Sequence, residues 1–264
     1  MNYLLSLNPF LIVLLVATFN WLMTFLGASL VYFVKEASQK IICFALGSSA
    51  GIMVGASFFS LILPALQYLE NSSKLQLSII PIGFICGVGL LMIIDKLLPH
   101  EHLMSHDQEG INPSNYSKNK LLLLAMTLHN IPEGLAVGVA FAGCQNGNYL
   151  PALMVAIGIG IQNFPEGTAI SLPLYQGGKS KFMSLLYGQF SAIVEIPAAL
   201  IGFIFASLVN DILPFALCFA AGAMMFVCIE ELIPEANTTK KIDFGTISFM
   251  IGFVVMMSFD IFFS

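Results

Sequence analysis

Eight apolar runs, each long enough to cross a bilayer, divide the 264 residues and leave little else. A helix needs about 20 apolar residues to span a hydrocarbon layer of ~30 Å. The runs fall at about 9–34, 41–69, 76–98, 120–143, 150–174, 182–208, 212–234 and 244–263. Within lipid the backbone N–H and C=O groups have to be satisfied inside the segment, so runs of this length are expected as helices. The expected fold is an all-α integral membrane protein with eight transmembrane helices. Composition agrees: 58% of residues are hydrophobic and 9% charged, where a soluble domain carries about 25% charged residues. One membrane domain, 1–264, is expected, with no separate soluble one. The first run is too long for a signal peptide and has no basic segment ahead of it, so it reads as a span that stays.

The connections are short except at 99–119, a polar loop with His100, His102, His106, Asp107 and Glu109. Lysines give the orientation. Lys35, Lys40, Lys96, Lys118, Lys120, Lys179, Lys181, Lys240 and Lys241 flank alternate connections, and Lys74 alone lies on the other side. By the positive-inside rule both termini are extracytoplasmic and the 99–119 loop faces the cytoplasm. The expected location is the plasma or inner membrane of the cell, multi-pass.

All ten basic residues are lysine. The absence of arginine, whose planar fork recognises phosphate, argues against nucleic acid as a partner. Cysteines 43, 86, 144, 218 and 228 form no Cys-x-x-Cys pair and read as small apolar residues, not as a disulfide framework or thiolate site. The sequence leaves monomer and homodimer both open.

Polar residues break the pattern in the fourth and fifth runs. Leu128-His129-Asn130-Ile131-Pro132-Glu133-Gly134 is followed 33 residues later by Ile161-Gln162-Asn163-Phe164-Pro165-Glu166-Gly167. On a helix, His129 and Glu133 are four apart and Asn130 and Glu133 three apart, so all three share a face. Gln162, Asn163 and Glu166 repeat that face. Pro132 and Pro165 remove an N–H, which frees the carbonyls of Leu128 and Ile161 and should open each turn. Glu195, in Val194-Glu195-Ile196-Pro197, adds a third acid from the sixth run. Three carboxylates with no basic partner in the spans have to share protons or hold cations in so apolar a setting. A divalent metal ion resolves this. A hydrogen-bonded core histidine and simple proline kinks are the blander readings of the single residues.

The donor set is rich in oxygen, with one nitrogen and no sulfur. It suits a first-row dication: Zn²⁺ or Fe²⁺ before Mn²⁺, with Cd²⁺ as a further substrate. The ligand count fits one ion, or two bridged by Glu133 and Glu166. No organic cofactor is implied. A weaker repeat surrounds the pair. Ile82, Phe84, Gly87, Met92 and Asp95 recur as Ile247, Phe249, Gly252, Met257 and Asp260, and Ala50-Gly51-x-Met53 recurs as Ala221-Gly222-x-Met224. The matching runs point in opposite directions. The expected arrangement is 3+2+3, an inverted repeat of spans 1–3 against 6–8 around spans four and five, as in transporters with a midplane site. A metal-gated channel or sensor would use the same residues. An intramembrane metalloenzyme is remote: His-Glu-x-x-His is absent, and no enzyme is expected.

His-Asn-x-Pro-Glu-Gly, Gln-Asn-x-Pro-Glu-Gly and Gly188-Gln189-x-Ser191-x-x-x-Glu195 together resemble the ZIP family of divalent metal transporters, in its GufA-like bacterial branch. The resemblance covers essentially the whole chain. It implies import into the cytoplasm by movement of one helix bundle against another, through a binuclear centre. One site would take His129, Glu133, Gln162 and Glu166, and the second Asn130, Glu133, Asn163, Glu166 and Glu195. Some relatives carry Asp where Asn163 stands here, which lowers the charge of the second site. The resemblance also implies that cytoplasmic-side groups receive the ion, with His100, His102, Glu230 and Glu231 as candidates. Asp95 and Asp260 sit at span ends, where carboxylates are ordinary, and Ser57 and Ser60 read as packing groups.

Overall fold

Polar residues at the edges of the apolar runs start the helices. Asn8 accepts the backbone N–H of Phe10 (3.0 Å) ahead of Pro9, whose fixed φ suits the first helical position. Ser73 and Gln76 form a reciprocal capping box, and Ser180 accepts the N–H of Met183 (3.2 Å). The computed structural model describes residues 8–34, 38–101, 108–113, 118–144, 148–208, 212–237 and 243–263.

Among these residues the long helices are α1 (Pro9–Tyr32), α2 (Gln39–Tyr68), α3 (Lys74–Leu97), α4 (Lys118–Ala142), α5 (Leu150–Gln176), α6 (Lys181–Leu208), α7 (Leu213–Ala236) and α8 (Phe244–Phe263). Their boundaries lie within a few residues of the apolar runs. Seven of the described helices are long and apolar enough to cross a membrane. The remaining one, α5, is 27 residues long, but Gln162, Asn163 and Glu166 lower its hydropathy. It is also the most enclosed, with most of its length buried against other helices. Among the described residues the strands are a short antiparallel ladder in the polar loop, β1 (His100–Glu101) with β2 (Gln108–Glu109), which sets His100 opposite Glu109.

The helices pack chiefly in four pairs: α1 with α5, α4 with α6, α2 with α8, and α3 with α7. Close approach at glycine makes this possible. A Cβ on Gly51 of α2 would overlap the carbonyl oxygen of Phe249 in α8, and one on Gly222 of α7 would overlap that of Phe84 in α3. Small residues at such crossings let backbones touch, which drives helix association where no water is displaced. The outer faces of α3 and α8 carry exposed Ile82, Ile85, Ile93, Ile247, Met250 and Ile261, as a hydrocarbon surrounding requires.

The prolines act differently from the expectation. Helices α4 and α5 run unbroken through Pro132, Pro165 and Pro173. Side chains take up carbonyls near those turns: His129 that of Ala125, Asn130 that of Met126, and Thr168 that of Phe164. The irregular turns lie instead in α2, as a π segment over Ala56–Ile62, in α7, as a π segment over Cys228–Leu232, and in α6, as a 3₁₀ turn over Ala192–Val194. Each precedes a proline by a few residues: Pro64, Pro234 and Pro197. A π turn adds a residue and moves the carbonyl with which the proline ring would collide.

Candidate metal site

The two polar motifs face each other. His129, Asn130 and Glu133 of α4, Gln162, Asn163 and Glu166 of α5, and Glu195 of α6 are all buried. Glycines set the spacing. Gly134, next to Glu133, lies on the backbone of Glu195, and Gly167, next to Glu166, lies on that of Thr24 in α1. The acids are thereby held where three helices converge.

Amide groups cross-link the acids. Gln162 Nε2 donates to Glu133 Oε1 across α4 and α5. Asn130 Nδ2 donates to Met126 O (2.7 Å) and reaches Glu166 Oε1 (3.4 Å). Asn163 Nδ2 donates to both oxygens of Glu195 (2.8 and 3.0 Å). Ser49 Oγ, from α2, holds the backbone oxygen of Gln162 (3.0 Å). The N–H₂ end of each amide is thus spent on a carboxylate or a carbonyl.

The oxygen ends remain. Asn130 Oδ1, Glu133 Oε2, Gln162 Oε1, Asn163 Oδ1 and Glu166 Oε2 are buried and have no hydrogen-bond partner among the described residues. An unsatisfied buried acceptor costs about 1–3 kcal/mol, more for a charged one. Five gathered on two facing helices form an acceptor-only cluster that a cation satisfies and an apolar group does not. His129 completes it. Its Nδ1 lies 2.6 Å from Ala125 O, which can only accept. The proton therefore sits on Nδ1, and Nε2 offers its lone pair, the arrangement of a metal-binding imidazole.

A second acidic group lies toward the 99–119 loop. His100 is fully buried, with Nδ1 2.9 Å from Leu98 O and Nε2 3.2 Å from Asp95 Oδ1 and 3.6 Å from Glu231 Oε1. Ligand atoms of Asp95, His100 and Glu109 lie within 4.8 Å of one another. A gap of about 10 Å³, roughly one water probe, is bordered by His129, Glu231 and Glu235. Toward the other end of the helices is a cavity of about 620 Å³, with Ser60, Gln67, Asn148 and Asp260 in its wall.

The family model described as ZIP Zinc transporter matches residues 100–257, more than half the chain and all of the central cluster. The chain belongs to the ZIP family. Relatives match along nearly its whole length. Zinc transporter ZIP11 of Xenopus tropicalis is 33% identical over 96% of this chain and 98% of its own. Zinc transporter GufA of Myxococcus xanthus is 36% identical over 90% of this chain and 93% of its own. Zinc transporter ZupT of Clostridium perfringens is 31% identical, covering 95% of each.

Within this ZIP protein, the seven central residues read from the motifs come together as one cluster. The loop-side candidates separate. His100 and Glu231 meet, Glu230 lies on an exposed face of α7, and His102 falls outside the described residues. The difference between Glu230 and Glu231 is one step around the helix, which a sequence pair does not resolve without knowing which face packs inward. Three acids near His100 or His129 were not among the motif-based candidates: Asp95, Glu109 and Glu235. Asp95 had only its place at a span end, Glu109 its place in a polar loop, and Glu235 its place after Pro234. Nothing in those settings singles them out; in the fold Asp95 and Glu235 are buried, and the ladder sets the exposed Glu109 opposite His100. The five cysteines form no disulfide among the described residues.

Proposed function

We propose that the chain transports a divalent transition-metal cation across the membrane, with Zn²⁺ as the main substrate. The observation that carries this is the group of five unpartnered buried oxygens on α4 and α5, with the buried His129, held through Nδ1 on Ala125 O, on the same face of α4 as Glu133. It fits a dication in charge and donor type, and similar proteins are named as zinc transporters. Fe²⁺, Mn²⁺ and Cd²⁺ share the preference for imidazole and carboxylate. His129, Glu133, Gln162 and Glu166 are assigned to one ion. Asn130, Asn163 and Glu195, with the shared acids, border a second position. His100 and Glu231, with Asp95, are assigned to receive the ion on the loop side. Transport is not catalysis of a covalent step, and no enzyme activity is assigned.

Eight membrane-crossing helices in a 3+2+3 inverted repeat are part of the same reading. Exchanging α1 with α6, α2 with α7, α3 with α8 and α4 with α5 turns each of the four packed pairs into another of them. The tight contacts follow: Gly51 on Phe249 answers to Gly222 on Phe84, and Gly134 on Glu195 to Gly167 on Thr24. The two π turns fall in exchanged helices, α2 and α7. Helix α5 crosses as a span shielded from lipid by its neighbours.

Purified protein in vesicles is expected to take up Zn²⁺ at a rate that saturates with external metal. Linear flux without saturation would favour a channel instead. Import with both termini outside predicts that an impermeant amine reagent on intact cells modifies Lys74 and spares Lys96 and Lys179. The reverse pattern would overturn the orientation.

A further inference from the structure

The inverted repeat gives α1 a role that its sequence does not advertise. Gly167 lies on Thr24 O as Gly134 lies on Glu195 O. Thr24 therefore stands in α1 where Glu195 stands in α6, with Asn20 one turn before it. Asn20 and Thr24 are both fully buried. Asn20 Nδ2, Asn20 Oδ1 and Thr24 Oγ1 have no hydrogen-bond partner among the described residues. Their neighbour Trp21 differs: its Nε1 donates to both the backbone and side-chain oxygens of Gln189, each at 3.1 Å. A polar group that α1 needs for packing on α6 thus finds its partner, while the two on the inner face do not.

Asn20 also borders the central cluster. Its backbone oxygen accepts from Asn163 Nδ2 (3.3 Å), and its Oδ1 would lie 3.1 Å from a Cβ on Gly160, one turn before Asn163. Asn163 Oδ1 is itself unpartnered. Polar atoms buried in an apolar setting without partners are retained against a free-energy cost. A bare cation would satisfy the oxygens and leave Asn20 Nδ2, a donor, unmatched. A cation that keeps part of its water accounts for the whole set. Its waters donate to Asn20 Oδ1, Thr24 Oγ1 and Asn163 Oδ1, and a further water accepts from Asn20 Nδ2.

We propose that Asn20 and Thr24 form a neutral wall of the metal site, holding the water shell of a divalent cation on the side bordered by Asn163 and Glu195. This rests on the transport reading above. It assigns α1 a direct part in substrate binding, where the motifs place ligands only on α4, α5 and α6.

The test is Zn²⁺ uptake and Zn²⁺-dependent thermal stability of Asn20→Leu and Thr24→Val in the full chain. Each loses water-mediated contacts, and the KM for Zn²⁺ is expected to rise about three- to tenfold. Without metal, each should melt no lower than wild type, because an unpartnered polar group has been replaced by an apolar one. The rise in melting temperature on adding Zn²⁺ should shrink. Asn20→Asp, which keeps an acceptor at the same place, should restore the Zn²⁺ response. Wild-type KM and Zn²⁺ response in both apolar variants would overturn the proposal, whether or not their metal-free stability changes. Glu133→Ala separates the two levels. If that variant is inactive and Asn20→Leu is normal, only the role of α1 fails; if Glu133→Ala still transports, the site reading itself fails.

Discussion

Zn²⁺ uptake is expected to vanish in Glu133→Ala and in Glu166→Ala while the protein is still made and inserted. The two acids occupy matching places on α4 and α5. Each has one oxygen engaged by an amide from the opposite helix, Gln162 for Glu133 and Asn130 for Glu166, and one left over. The leftover oxygens are the carboxylate acceptors that those two helices offer to an ion, so either substitution removes a direct ligand and a charge together. Loss of an outer partner of a metal ligand already costs about 10–100-fold in affinity or activity. Loss of either acid should exceed that, leaving uptake at background. Stability should behave differently. Removing one of three neighbouring acids relieves repulsion in the metal-free protein, so the metal-free melting temperature should not fall steeply. The stabilisation that Zn²⁺ gives to wild type, which follows from binding to the folded state alone, should disappear. Full uptake by either variant would refute the assignment of the site.

Gly138→Val should disable the protein by another route. A Cβ at Gly138 of α4 would overlap the carbonyl oxygen of Ala199 in α6 and lie 2.7 Å from Phe203 N. Both neighbours are backbone, so no side chain can move aside. The helices must separate, and over-packing of this kind costs about 1–3 kcal/mol or more. Separation at this crossing also carries Glu195 away from Asn163. A clear drop in melting temperature and loss of uptake are expected together. Gly89 supplies the control: nothing lies within 4 Å of its Cβ position, so Gly89→Val should insert, melt and transport much as wild type. Wild-type behaviour of Gly138→Val would mean that α4 and α6 do not pack as described.

Much of this was legible in the chain because lipid removes choices. Runs of some twenty apolar residues have to be helices, and helical spacing alone puts His129, Asn130 and Glu133 on one face and Gln162, Asn163 and Glu166 on another. Polar groups there stand out because they are costly, so the acids and amides drew attention without any knowledge of neighbours. The matching words were also readable, with Gly51 and Gly222 in one pair and Gly87 and Gly252 in another, and each of these glycines meets backbone of a partner helix. The prolines misled in detail. A missing N–H predicts a weakened turn, but whether that turn opens depends on what packs around it. Side chains bond carbonyls near the prolines of α4 and α5, and the backbone departs from the α form in α2, α6 and α7 instead.

What the sequence determined by itself is the helical membrane class of the chain, the helix faces on which its polar residues lie, and the donor types those faces offer. These depend on local rules: span length, helical period and the donor types of side chains. What only the tertiary structure decided is which atom of each side chain remains available, and which distant residues share the cluster. Asn163 proved to spend its N–H₂ on Glu195, His129 to place its proton on Nδ1, and Glu231 to turn inward while Glu230 turns out. Asn20 and Thr24 pack against Asn163 and Gly167 although they lie more than a hundred residues from them in the chain. Such facts depend on how one helix face meets another, and a single chain read in order contains the faces but not their meeting.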